Sequence, residues 1–267
     1  MHVILLRMIS PTRTLPRAAL LGAAVLLGAC ASLASPADEP TLSGAQAAYA
    51  RGDYAAASID YESVARSAAE PFSGDYWLLA ADCALRAGDG ARAEQLLKRI
   101  PATALDAHQQ ARLQLLRART ALQRNDPAAA LQALPDAGSD DSLADAILQV
   151  RAQALYKTGA TAAATAALVQ REHLLSAPKA LQDNRAAIWA GVSSAPPADP
   201  RSLASADPTT RGWLELGALA QLNPSLAALD NWHRRYPDHP GNAYLAQLMM
   251  PAGSHPAATA AASPGGG

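Results

Sequence analysis

At 267 residues and a formal net charge of −1, the chain lacks the basic excess of a nucleic-acid-binding protein, and no nucleic-acid partner is expected. Half of its residues are apolar but only 4% are aromatic, with a single Phe, and much of the apolar content is Ala. Ala has the best helix propensity and the smallest side chain, whereas the Val, Ile and Phe that strands favour are scarce, so the composition predicts closely packed helices.

The chain opens on a segment unlike the rest. Arg7, Arg13 and Arg17, with no acidic residue among them, precede an apolar run from Ala18 to Ala29. A basic stretch before about 7–15 apolar residues has the form of a secretory signal, and this run falls short of the roughly 20 residues a spanning helix needs. Residues 1–29 are therefore expected to be a signal peptide, and their removal would leave the chain more acidic. Leu27, Gly28, Ala29 and Cys30 resemble the lipobox of bacterial lipoproteins. The alternative is an ordinary small-residue cleavage site with an incidental cysteine. Small residues at 28 and 29 fit a protease cleft, and only a thiol at 30 can form the thioether to a diacylglycerol. The resemblance implies that Cys30 is the lipidated first residue of the mature protein. Its acyl chains would anchor firmly, because one chain is marginal and each buried CH₂ adds about 0.8 kcal/mol. Ala31 rather than Asp follows, which by the sorting rule of that class implies the periplasmic face of the outer membrane. Cys83, the second of two cysteines, then has no disulfide partner and is expected to be a buried small hydrophobe.

Residues 30–40 are polar and contain Pro, and they read as a flexible tether. From Thr41 a repeat appears. Aligning "RGDYAAA", "AGDGARA", "RNDPAAA" and "TGATAAA" places a turn residue at Gly52, Gly88, Asn125 and Gly159. Seven residues before it stand Ala45, Ala81, Ala118 and Ala152; five after it stand Ala57, Ala93, Ala130 and Ala164. Small columns on both sides of a turn predict two helices in close approach. Larger columns fill in around them: Tyr49, Leu85, Leu122 and Tyr156 three before the turn, Tyr61, Leu97, Leu134 and Leu168 nine after it. This pattern resembles the tetratricopeptide repeat over about residues 41–175, in degenerate form. Its large first-helix position is kept only in part (Thr41, Trp77, Leu113, Ile147), and its terminal Pro is displaced to Pro101 and Pro135. A plain Ala-rich bundle is the competing architecture.

Beyond the repeats, "NRAAIW" suits a helix with Ile188 and Trp189 inward, broken by "SSAPPADP". Asp126-Pro127, Asp207-Pro208 and Asn223-Pro224 each read as an N-cap followed by Pro at the first helical position. Helices are expected near 209–222, 225–236 and 241–249, giving a helical domain over 41–250. Residues 251–267 have a linker composition.

The sequence offers no constellation for chemistry, and no catalytic residue, metal or cofactor is expected. His233 and His239 fit no zinc spacing and read as a solvated helix end. Asp38-Glu39 and Asp140-Asp141 read as helix-start acids favoured by the helix dipole. Leu229, Trp232 and Tyr236 share one helix face. With Trp213 they are expected to anchor a core, a ligand platform being the alternative.

"PTTRGWLELGALAQ" and "NPSLAALDNWHRRYPDHPGNAYL", preceded by "NRAAIW", resemble the LppC family of LpoA-type lipoproteins. Arg211, Gly212, Trp213, Leu214, Trp232, Tyr236, Pro237 and Pro240 carry the match. The resemblance implies a lipid-anchored, tetratricopeptide-like arm that precedes a domain built like a periplasmic solute-binding protein. It also implies a class A penicillin-binding protein as partner. No residues of this chain match that second domain, to which the family's contact with the synthase is mainly attributed, so the anchor and the arm are what is expected of it. The expected fold is all-α, a right-handed helical solenoid of degenerate tetratricopeptide-like pairs with additional C-terminal helices. The expected function is non-enzymatic regulation of peptidoglycan synthesis through that synthase. Two rivals are an adaptor lipoprotein for outer-membrane protein assembly or pilus biogenesis, and the helical scaffold of a lytic transglycosylase.

Overall fold

The structure, a computed structural model, describes residues 41–249 apart from Pro71, Pro101 and Pro197. The expected signal peptide, lipobox, tether and terminal linker lie outside the described residues, as does Asp38-Glu39. Among the described residues the chain is all-α, without a strand.

Four helix pairs follow one another: α1 (Leu42–Ala50) with α2 (Tyr54–Ser67), α3 (Phe72–Arg86) with α4 (Gly90–Arg99), α5 (Ala107–Gln123) with α6 (Pro127–Ala133), and α7 (Ala144–Lys157) with α8 (Thr161–Glu172). Each pair turns through the aligned residue. Gly52, Gly88, Asn125 and Gly159 have φ of 79°, 80°, 58° and 80°. That left-handed conformation costs an ordinary L residue about 1–2 kcal/mol, is free to Gly, and is tolerated by Asn through its short polar side chain. At every turn it closes the first helix in the same way. Asp53 N–H donates to Ala48 O at 3.0 Å, Asp89 N–H to Ala84 O at 2.9 Å, Asp126 N–H to Ala121 O at 2.9 Å and Ala160 N–H to Leu155 O at 2.9 Å. These Schellman closures satisfy carbonyls that a helix end would otherwise leave unpaired. The residue after the turn then starts the second helix: the Asp53, Asp89 and Asp126 carboxylates accept from the amides of Ala56, Arg92 and Ala129. The fourth turn has Ala160 at that place and no side-chain cap.

The eight column alanines, Ala45, Ala57, Ala81, Ala93, Ala118, Ala130, Ala152 and Ala164, are each 1% exposed or less. Tyr61, Leu85, Leu97 and Leu168 are buried beside them, and Tyr49, Leu122, Leu134 and Tyr156 are half-buried. Cys83 is free and fully buried on α3 in the core shared by the first units. Thr41, aligned with the large first-helix position, is the N-cap of α1 instead, its hydroxyl accepting from Gly44 N–H at 3.0 Å.

Five further helices follow: α9 (Pro178–Ser194), α10 (Pro200–Ser205), α11 (Pro208–Ala220), α12 (Leu226–Arg235) and α13 (Asn242–Leu248). Ile188, Val192, Trp213, Leu214, Leu216 and Trp232 form one core with Leu148, Ala152 and Leu168 of the fourth pair. Helix α11 crosses α9 closely at Gly217, where a Cβ would lie 2.5 Å from Val192 O.

Two local expectations are corrected. Asn223 does not cap α12. It sits in the left-handed conformation, φ 48°, just past the end of α11, and Ser225 caps α12 by accepting from Ala228 N–H. Asp140-Asp141 does not start α7. That helix begins at Ala144 without a side-chain cap, and the Asp140 carboxylate closes a turn on the Ser142 N–H and hydroxyl and pairs with His108 at 2.6 Å. The break expected at "SSAPPADP" is present, since α9 ends at Ser194, and α10, a short helix not expected from the sequence, then starts at Pro200 with the Asp199 carboxylate as its cap. No described helix is long and apolar enough to cross a membrane.

Candidate functional site

Helices α3, α5 and α7, with α8 and α9, line a groove of about 990 Å³. Its apolar lining is Leu85, Leu122, Val150 and Leu168, joined by the small residues Ala187, Ala190 and Gly191 of α9. Gly191 is where α9 passes over Tyr156: a Cβ there would stand 2.2 Å from Tyr156 Cζ. The Tyr156 hydroxyl in turn lies 3.1 Å from Thr165 Oγ1 on α8, and burial raises its pKa above the ordinary phenol value.

The charged lining is Arg86, Arg119, Lys157 and Arg171 with Asp82 and Asp183, four cations against two carboxylates. Asp82 serves two arginines, accepting from Arg86 Nε at 2.8 Å and Arg119 Nη1 at 3.2 Å. The Arg86 guanidinium also lies over Tyr49 and Tyr54, 5.5 Å and 5.6 Å from their ring centroids. The hydrogen bond to Asp82 raises its pKa further, so it is permanently charged. Arg171 is held by Asp145 Oδ1 at 2.5 Å and Asn184 Oδ1 at 3.0 Å. Lys157 Nζ donates to Asn125 Oδ1 at 3.0 Å, a neutral partner.

The residues of the C-terminal motif gather at a second place. Arg211 donates to the carbonyls of Leu203, Ala204 and Ala206 at 2.9, 3.1 and 2.9 Å, tying the end of α10 to α11. Trp213 and Trp232 are the two largest fully buried side chains, and Leu214 is buried beside them. Trp232 Nε1 donates to Gly212 O at 3.0 Å. Tyr236 packs on Trp232 with ring centroids 5.4 Å apart, and Pro237 and Pro240 occupy the turn between α12 and α13.

His239, expected in solvent, is buried at the centre of this cluster, with 8% exposure. Its ring stands 5.1 Å from Trp213, 5.2 Å from Trp232 and 5.8 Å from Tyr236, centroid to centroid. Nε2 lies 2.8 Å from Thr209 O and Nδ1 accepts from Gly241 N–H at 2.9 Å, which assigns the proton to Nε2 in a neutral ring. Burial lowers its pKa. A Cβ at Gly212 would stand 2.6 Å from His239 Nε2, so the glycine of the motif makes room for the histidine. His233 is exposed, with Nδ1 2.8 Å from Asn242 Oδ1. The sequence signal for His239 is its position between Pro237 and Pro240, before Gly241: a stiff turn that folds back on α11. Trp189 stacks on Tyr244 at 5.1 Å and extends the same apolar body. The motif is therefore a packing node, and the groove is a concave surface lined by partly exposed cations. Among the described residues, no three or more His, Cys, Asp and Glu gather as a metal site would require.

Comparison with known proteins places these features in context. A family model described as "LppC putative lipoprotein" matches residues 54–251, a span that holds both the groove and the aromatic node. The penicillin-binding protein activator LpoA of Edwardsiella ictaluri (strain 93-146) is 30% identical over 238 residues, covering 85% of this chain and 33% of the relative. The protein of the same name from Edwardsiella piscicida is 30% identical over 236 residues, with the same coverage of 85% and 33%. The chain thus spans about a third of the length of these curated relatives. Among solved structures, the E. coli LpoA amino terminal domain matches with a TM-score of 0.53 and 24% identity, covering 78% of this chain and 94% of that one, and so shares its fold.

Proposed function

The chain belongs to the LppC lipoprotein family, and on that premise we propose that it is the helical arm of a regulator of peptidoglycan synthesis. It acts without chemistry of its own, by holding a class A penicillin-binding protein through a docking face. The observation that carries this reading is the family match across residues 54–251, which includes both the groove and the packing node. The activator name borne by the two Edwardsiella relatives supports the choice of partner.

The mechanism we propose is geometric. The chain is anchored through acyl groups on Cys30, with Leu27, Gly28 and Ala29 directing the cleavage that precedes it, and it faces the periplasm from the outer membrane. Residues 30–40 form the tether, helices stacked as a right-handed solenoid over 41–250 give reach, and residues 251–267 form a linker. Shared cores support that reading: the first units close around Leu78, Cys83 and Leu97, the later ones around Leu148, Ile188 and Trp213.

The test is to combine the purified chain with a purified class A penicillin-binding protein and measure co-elution and the rate of glycan polymerisation. Stable association with a raised rate is expected; a folded chain that does neither overturns the reading. For the anchor, Cys30→Ser is expected to abolish incorporation of labelled fatty acid, and unchanged labelling refutes lipidation at that residue.

A further inference from the structure

The groove carries a charge opposite to that of the molecule around it. The chain has a formal net charge of −1, yet four cations and two carboxylates leave the groove lining at a net +2. Two of those cations are pre-positioned and still accessible. Arg86 and Arg119 share the Asp82 carboxylate, which is 11% exposed, while their own side chains remain 44% and 33% exposed. One carboxylate cannot use the donors of two guanidiniums, each of which carries five N–H groups in a fixed fork. The pair is therefore an arginine site half-filled by Asp82 and open to a further carboxylate.

Along the same groove, Gln149 and Gln153 stand on successive turns of α7, both exposed and both without a hydrogen-bond partner among the described residues. Each offers a donor and an acceptor, the complement of a peptide group. On α9, the exposed Ala187 and Ala190 leave little side chain in the way of an approaching backbone. A volume of about 990 Å³ is at the upper limit of small-molecule pockets, which span roughly 300–1,000 Å³.

We propose that this groove binds an acidic peptide segment of a protein partner, with Arg86 and Arg119 taking a carboxylate, Gln149 and Gln153 pairing with its backbone, and Leu122 and Val150 receiving an apolar side chain. A neutral glycan would leave the cations unmatched, and a lipid surface has no means of entering a concave groove. The proposal rests on the reading of the chain as a docking scaffold, but not on the identity of the synthase.

The test uses the purified chain alone, so that it can fail independently of synthase stimulation. A fluorescein-labelled peptide of alternating glutamate and leucine is titrated with the chain by anisotropy, beside a counterpart carrying lysine in place of glutamate. The glutamate peptide is expected to bind, more weakly as salt rises, and the lysine peptide not to bind. The double variant Gln149→Glu/Gln153→Glu alters only exposed amides and is expected to weaken binding roughly tenfold or more by setting like charges against the peptide. Arg234→Glu, an exposed change on α12 away from the groove, is expected to leave binding unchanged, and circular dichroism verifies that both variants are folded. Failure of the glutamate peptide to bind, equal binding of the lysine peptide, or indifference to the double variant overturns the proposal. So does displacement of the glutamate peptide by muropeptides at lower concentration than by its own unlabelled form, which would assign the groove to cell-wall stem peptides.

Discussion

The paired helices α1–α8 and the C-terminal helices α9–α13 solve the same packing problem with opposite materials. The pairs use alanine columns, so that backbones approach closely and each contact is small and repeated. The C-terminal helices use two tryptophans, Tyr236, Tyr244 and a buried histidine gathered at one node. Distributed packing spreads stability over many equivalent turns, whereas a node concentrates it in a few side chains. The two regions should therefore respond differently to single substitutions.

The largest effect is expected at the node. Trp213→Ala removes a fully buried indole and should cost about 3–5 kcal/mol in urea denaturation. Hydrogen exchange should show α11–α13 losing protection while α1–α4 retain theirs; uniform loss across the chain would erase the contrast. In the repeats the damaging change is enlargement. Ala118→Leu places a bulky side chain at a position with 0% exposure and should cost about 1–3 kcal/mol by overpacking, read as a lowered Tm. At a turn, Gly88→Ala meets open space but a φ of 80°, so about 1–2 kcal/mol of backbone strain is expected in equilibrium unfolding. Gly88→Asn should recover most of it, as Asn125 occupies the equivalent position.

The smallest effect is a pH dependence confined to the node. Burial holds His239 below its ordinary value of 6.5, with Arg185 adding to the shift and the Thr209 carbonyl, Glu172 and Asp207 opposing it. The folded state thus binds this proton less readily than the unfolded chain. Its contribution to stability is complete above about pH 6.5 and is lost as pH falls through the depressed folded value. Denaturation midpoints measured on either side of that window should converge in His239→Gln; an unchanged pH slope would place its origin elsewhere.

The repeat half was open to sequence reading because its signals are local. A left-handed turn residue followed by a capping Asp is a two-residue statement, and the alanine columns recur at fixed offsets from it. Where the same residue type serves two local roles, local pattern misleads: Asn223 before Pro looks like an N-cap, but Asn also tolerates positive φ, and Ser225 takes the cap. Helix α10 is six residues long between prolines, too short for periodicity to register. The burial of His239 is not legible locally because it comes from α11, with its partner carbonyl thirty residues away at Thr209. The groove was illegible for the same reason, since its cations come from α3, α5, α7 and α8 and meet only after folding. Arg211–Leu214 stands out in the sequence through its family resemblance and Trp213 as a core anchor, but the role of Arg211 in tying α10 to α11 depends on carbonyls that no pattern announces.

The buried cysteine of the first core has a practical side. Burial pushes the Cys83 thiol up to about 11, so at neutral pH it is neither ionised nor within reach of reagents. In a Cys30→Ser background it is the sole thiol of the chain. Alkylation there can proceed only when α3 leaves its neighbours, which turns the residue into a native stopwatch for the opening of the paired helices, timed without an engineered probe site and read by the mass that the alkyl group adds.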